Sequence, residues 1–119
     1  MKTIVVAGML VIGLAVAAQA QGKPPGYVVA ELDITDPAVF ANEYASKLQA
    51  TLDPFGGRTI VRGKPIAVEG EPPKTFVVIE FESADKARAW FDSPAYIALK
   101  PARERSAKTK AYIVEGVSK

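Results

Sequence analysis

Two stretches of the chain carry apolar side chains on both faces of an extended strand, and this limits what can fold around them. In residues 27–34 (YVVAELDI) the even positions Val28, Ala30, Leu32 and Ile34 are all apolar. Their odd neighbours are Tyr27, Val29, Glu31 and Asp33. In residues 75–82 (TFVVIEFE) Val77, Ile79 and Phe81 alternate with Phe76, Val78, Glu80 and Glu82. Strand side chains alternate between faces with period two. A sheet with helices on one side hides only half of such strands, so these two belong in its middle and need cover front and back.

The rest of the chain supplies the helices and the outer strands. Asp36-Pro37 reads as an N-cap followed by proline at the first helical position. Residues 37–52 then place Phe40, Ala41, Tyr44, Ala45, Leu48 and Leu52 on one stripe. Asp53-Pro54 and Gly56-Gly57 end that helix. Residues 58–62 (RTIVR) predict a second strand, with 66–69 expected to continue it past a bulge. Ser83 starts a helix over 84–91, with Ala84, Ala87, Trp90 and Phe91 inward. Ser93-Pro94 starts another segment containing Tyr96, Ile97 and Leu99, in which Pro101 predicts a kink or a restart. The helical pattern fades near Lys108, and 111–117 (AYIVEGV) is the expected last strand. The order β-α-β-β-α-β predicts an α+β, ferredoxin-like βαββαβ sandwich. Its four strands form one antiparallel sheet in the order 4-1-3-2, with the helices on one face.

The N-terminus has a different character. Lys2 is the only charge before Lys23, the run 4–18 is nearly all apolar, and it ends in Ala18-Gln19-Ala20. A short basic start, an apolar run below the roughly 20 residues of a membrane span, and small residues at the exit predict a secretory signal peptide. The expected division is a signal peptide at 1–20 cleaved after Ala20, a flexible lead-in at 21–25 and one domain at 26–119. The product is periplasmic or secreted, with no stable membrane anchor once the signal is removed.

The chain has no Cys and no His. That excludes a disulfide framework, a thiol nucleophile, the usual zinc sites and imidazole acid–base chemistry. No residues have the spacing of a metal site, and no cofactor is expected. The basic residues are scattered and nearly balanced by acidic ones, so no nucleic-acid partner is expected. Lys100, Arg103, Arg105, Lys108 and Lys110 gather late in the chain, which reads as solvated cations near a helix C-terminus.

Candidate chemistry follows from the uncovered face. Tyr27, Val29, Glu31, Phe76, Val78 and Glu80 share it, and the simplest cover is a second copy packed sheet to sheet about a two-fold axis. If Thr59 and Val61 face the helices, then Arg58, Ile60 and Arg62 join the glutamates behind the sheet. A one-residue slip would send the arginines to the other side. The expected result is a cavity enclosed by the dimer and lined by Tyr27, Glu31, Arg62 and Glu80, or else a structural Glu–Arg network. Glu80, Glu31 and Arg62 are the candidates for catalysis, because a buried carboxylate can become a base and a guanidinium can hold a planar anion. Tyr27, Tyr44, Arg58, Arg62, Trp90, Tyr96 and Arg103 are the candidates for binding a small organic ligand. The spacing of the aromatic residues fits an ordinary core equally well.

A family resemblance adds to this. The chain resembles the DUF1330 family, small proteins of the dimeric α/β-barrel superfamily. The resemblance is carried by Tyr44, Phe55-Gly56-Gly57-Arg58, Val61-Arg62-Gly63, Glu69-Gly70, Val78-Ile79-Glu80-Phe81, Ala87-Arg88-Ala89-Trp90-Phe91, Ser93-Pro94-Ala95-Tyr96, Arg103 and Glu115-Gly116. Lys64, Glu82 and Ala95 depart from the family's usual Gly, Pro and Glu. The resemblance implies a homodimer of unassigned function, a small-molecule-binding or structural domain. The alternative it leaves open is a cofactor-independent enzyme, monooxygenase-like or isomerase-like, acting on a small aromatic or carbonyl compound.

Overall fold

The first strand, β1 (Gly26–Ile34), lies between two antiparallel neighbours, β3 (Thr75–Phe81) and β4 (Ala107–Glu115), and β2 (Arg58–Gly63) closes the far edge. The order β2-β3-β1-β4 is the expected 4-1-3-2 read from the other side. The two strands with apolar residues on both faces are therefore the two central ones. The structure, a computed structural model, describes residues 22–118. The expected signal peptide at 1–20 and its cleavage point lie outside the described residues, as do Gln21 and Lys119. Of the expected lead-in, Pro25 is tied to the end of β4, its carbonyl accepting from Gly116 N at 2.7 Å.

The first helix, α1, runs over 37–52. The Asp36 side chain caps it by accepting from Val39 N at 3.2 Å. An α-helical turn (Pro37–Val39) passes into a π-helical segment (Phe40–Ala45) and then an α-helical one (Ser46–Leu52). The wider π turn rotates the apolar stripe, so Tyr44, Leu48, Thr51 and Leu52 are buried while Ala41 is exposed. A short turn of 3-10 helix (Asp53–Phe55) leads into β2. The helices α2 (Ala84–Phe91) and α3 (Pro94–Glu104) are capped by Ser83 and Ser93, whose side chains accept from Lys86 N and Tyr96 N. Pro101 does not restart the segment but lies within α3, which runs unbroken from Pro94 to Glu104. It is on the exposed side, where water can reach the carbonyl that loses its partner.

Gly26 shows how tightly α2 sits on the sheet. A Cβ there would lie 2.4 Å from Ala84 N and 2.5 Å from Ser83 C. Backbone cannot yield at that distance, so only glycine lets β1 start beneath the N-terminus of α2.

Three expectations are corrected. Residues 66–69 do not extend β2; they lie in the connection to β3, with Ile66 and Val68 exposed. The helical pattern stops at Glu104, and β4 begins at Ala107 rather than Ala111. Lys108 and Lys110 are therefore strand residues facing away from the helices, opposite Asp33 and Glu31. Third, β2 does not alternate regularly. Arg58 pairs with Glu80 and Thr59 with Ile79, but Val61 then pairs with Val78 and Arg62 with Val77. The bulge makes Ile60 an extra residue, and every residue after it changes face. Arg58 and Val61 lie behind the sheet, whereas Thr59 and Arg62 lie under the helices.

The register sorts the side chains into rows across the sheet. Behind it run Arg58–Glu80–Tyr27–Val114, Val61–Val78–Val29–Tyr112 and Gly63–Phe76–Glu31–Lys110. On the helix side run Thr59–Ile79–Val28–Ile113 and Arg62–Val77–Ala30–Ala111. The core lies between this side and the helices, where Leu52, Phe81, Trp90 and Tyr96 are each at most 1% exposed.

Candidate functional site

The row Arg62–Val77–Ala30–Ala111 contains two alanines where the neighbouring row has valine and isoleucine. Their methyl groups are too short to reach the helices. A cavity of about 100 Å³ remains above them. Tyr44, Trp90, Phe91 and Tyr96 form its aromatic wall, and Arg62 and Arg103 also line it. Among the described residues no carboxylate lines it.

Each polar group reaches the cavity for a local reason. Arg62 comes from the edge strand, turned inward by the bulge at Ile60. Tyr44 sits in the π-helical segment of α1, a feature that often marks functional positions in helices. Tyr96 follows the Ser93 cap in the first turn of α3, and Arg103 occupies the last turn of the same helix. The helix dipole favours a cation there.

These groups bond to one another. Tyr44 Oη and Tyr96 Oη are 2.9 Å apart, and Arg103 Nη1 donates to Tyr96 Oη at 3.0 Å. Burial, reinforced by the neighbouring Tyr96, pushes the Tyr44 pKa well above the usual phenol value. Tyr44 is thus a neutral donor or acceptor and not a base. Arg103 is only 9% exposed, and among the described residues it forms no ion pair. Its Nε is buried without a partner. A buried guanidinium with no carboxylate is costly, and an anion beside it would relieve that cost.

Trp90 fixes the aromatic wall. Its ring centroid is 4.1 Å from that of Tyr96, and its indole N–H donates to Thr51 Oγ1 at 3.0 Å. Thr51 in turn donates to the Leu48 carbonyl at 2.7 Å. The sequence reading passed over Thr51. Its signal was a hydroxyl on the inner stripe, between Leu48 and Leu52. It also passed over what Ala30 and Ala111 do by being small.

Five of the seven candidate ligand-binding residues come together here: Tyr44, Arg62, Trp90, Tyr96 and Arg103. Tyr27 and Arg58 do not; they lie behind the sheet with Glu31 and Glu80. There Arg58 Nη2 donates to Glu80 Oε1 at 3.0 Å, and Tyr112 Oη donates to Glu31. That hydrogen bond to Glu31 raises the Tyr112 pKa. The sheet stands between both glutamates and the cavity, so Arg62 does not share a site with Glu31 or Glu80. The expected rear cavity of Tyr27, Glu31, Arg62 and Glu80 loses its arginine to the bulge. The Arg58–Glu80 part of the alternative Glu–Arg network is present.

Several solved structures share the fold. A protein of unknown function from Rhodopseudomonas palustris, RPA0582, is 12% identical, with 80% of this chain and 84% of that one covered and a TM-score of 0.64. SnoaB, a cofactor-independent oxygenase from Streptomyces nogalater, is 14% identical over 76% of this chain and 91% of its own, with a TM-score of 0.55. A dimeric protein of unknown function and ferredoxin-like fold from Bacteroides fragilis is 19% identical over 80% and 97%, with a TM-score of 0.52. No curated protein matches the chain in sequence. Residues 25–117, from the lead-in proline to the residues after β4, match the model of the family described as Domain of unknown function (DUF1330), and the chain belongs to that family.

Proposed function

We propose that the protein is an exported homodimer that binds a small, mainly apolar organic molecule in the cavity between sheet and helices. The observation that carries the binding role is an aromatic and aliphatic wall that holds one buried arginine, Arg103, without an ion-pair partner among the described residues, while Arg62 stands exposed at its edge. Ordinary cores place their arginines outside or pair them. At about 100 Å³ the cavity is of the same order as the ~150 Å³ apolar cavity that takes benzene in another protein. One small ring or a short chain matches it.

The dimer is supported by the rear of the sheet. Its middle row, Val61–Val78–Val29–Tyr112, has no charge, and Val61, Tyr112 and Val114 are each 44–45% exposed. A continuous apolar patch of this kind marks an interaction surface. A dimeric relative of the same fold, that of Bacteroides fragilis, favours a second copy as the cover. Export is supported by the charge and hydropathy pattern of residues 1–20. The mass of the chain recovered from the periplasm or medium should match a start at Gln21; a full-length mass would overturn cleavage.

Ala30→Leu tests the cavity. The longer side chain enters the space without disturbing the strand, so stability should hold or rise slightly, as cavity-filling changes do. Para-fluorophenol and para-fluorotoluene are suitable probes, read by broadening of their fluorine NMR lines. At least one should bind the wild-type protein and neither should bind Ala30→Leu. Equal binding by both proteins would place the ligand elsewhere.

A second reading keeps the same cavity and adds turnover. The likeness to a cofactor-independent oxygenase favours it. With no carboxylate on the wall, such chemistry would rest on Arg103 and the tyrosines stabilising the substrate's own anion.

A further inference from the structure

Counting hydrogens at the tyrosine pair narrows the ligand. Tyr44 and Tyr96 bring two hydroxyl hydrogens, and only one can lie between their oxygens. Arg103 Nη1–H points at Tyr96 Oη and occupies a lone pair there. Whichever way the pair is oriented, one hydroxyl hydrogen has no acceptor among the described residues. Both tyrosines and Arg103 line the cavity, and the guanidinium beside them lacks a counter-charge among the described residues. A buried donor without an acceptor and a buried cation without an anion are two separate deficits. One negatively charged oxygen, placed against the pair, answers both.

We infer that the cavity holds its ligand through a single oxyanion, the phenolate or enolate oxygen of a small flat molecule, rather than as a neutral compound. The inference rests on the binding role proposed above and adds the chemical class of the ligand. The flat body lies along the Trp90 and Tyr96 rings, and its oxygen takes the spare hydroxyl hydrogen within the field of Arg103. Tyr44 suits the role of donor, since burial keeps its proton on.

The test is the ionisation of a bound probe. Para-fluorophenol reports its own protonation through its fluorine NMR shift, and para-fluorotoluene has the same shape with no acidic hydrogen. In the wild-type protein the bound phenol should titrate below the free phenol, the Arg103 cation and the spare hydroxyl donor at its oxygen together outweighing the desolvation that raises Tyr44. It should also bind at least tenfold more tightly than the toluene at a pH where the bound form is ionised. Arg103→Gln should abolish the titration shift. If that variant does not fold, the wild-type titration still decides. An unshifted or raised midpoint, or equal affinity for the two probes, overturns the oxyanion while the binding role stands. Tighter binding of para-fluorobenzoate than of the phenol overturns the single-oxygen geometry. Failure of every probe to bind overturns the binding role and this inference with it.

Discussion

Trp90→Ala is expected to lower stability by about 3–5 kcal/mol, the usual cost of deleting a large buried aromatic side chain. Trp90 is 1% exposed and packs against Phe81, Phe91 and Tyr96 at centroid distances of 5.6, 6.0 and 4.1 Å. It joins α2 to the sheet through Phe81, to α3 through Tyr96 and to α1 through Thr51. The space it leaves would merge with the cavity it already lines, and neighbours held by helix and strand backbone cannot collapse into it. A domain of this size commonly has about 5–15 kcal/mol in total. Thermal or urea unfolding followed by circular dichroism should therefore show a large fall in midpoint, with much of the variant unfolded near physiological temperature. A loss below about 1 kcal/mol would mean that Trp90 is not the junction described.

Val78→Lys is expected to split the proposed dimer without unfolding the subunit. Val78 sits near the middle of the rear face, with Val61 on one side and Val29 on the other. It is only half-buried in the isolated subunit, so a lysine there can extend into water. Against a second sheet the ammonium would be buried without a partner, at a cost of several kcal/mol. Each 1.4 kcal/mol is tenfold in affinity. Dimer dissociation should strengthen by about 100-fold or more, read as concentration-dependent mass by light scattering, while circular dichroism stays that of the wild type. A variant that remains dimeric at low micromolar concentration would remove the rear face from the interface. A wild-type protein that is monomeric would remove the dimer itself.

Much of the fold was legible because it rests on local signals. Caps at Asp36, Ser83 and Ser93 each place an oxygen near unpaired helix N–H groups. The period-two pattern of β1 and β3 predicted which side chains meet the helices. Val28, Leu32, Ile79 and Phe81 are indeed buried there. The start of β4 was misread because 107–110 (AKTK) has one apolar residue and two lysines, so its strand character comes from pairing with 31–34 rather than from its own composition.

The site was legible only in part. Tyr44, Trp90, Tyr96 and Arg103 stand out by type, and helix periodicity turns them toward the sheet. Arg58 and Arg62 are chemically alike and four positions apart, and regular alternation assigns them to one face. Ile60 is the extra residue that separates them, and nothing in RTIVR marks it as such.

From its sequence alone this chain determines the order of its strands and helices, the central place of its two doubly apolar strands, and the absence of thiol and imidazole chemistry. These follow from residue type and from spacing over a few neighbours, which are local properties. Only the tertiary structure decided that Arg62 lies under the helices while Arg58 stays behind the sheet, and that Ala30 and Ala111 lie side by side beneath Tyr44 and Tyr96. Register is counted across a hairpin, where one unpaired residue reverses every face after it. A cavity is the difference between the volume the backbone encloses and the volume the side chains fill, and that quantity exists only once the elements have packed.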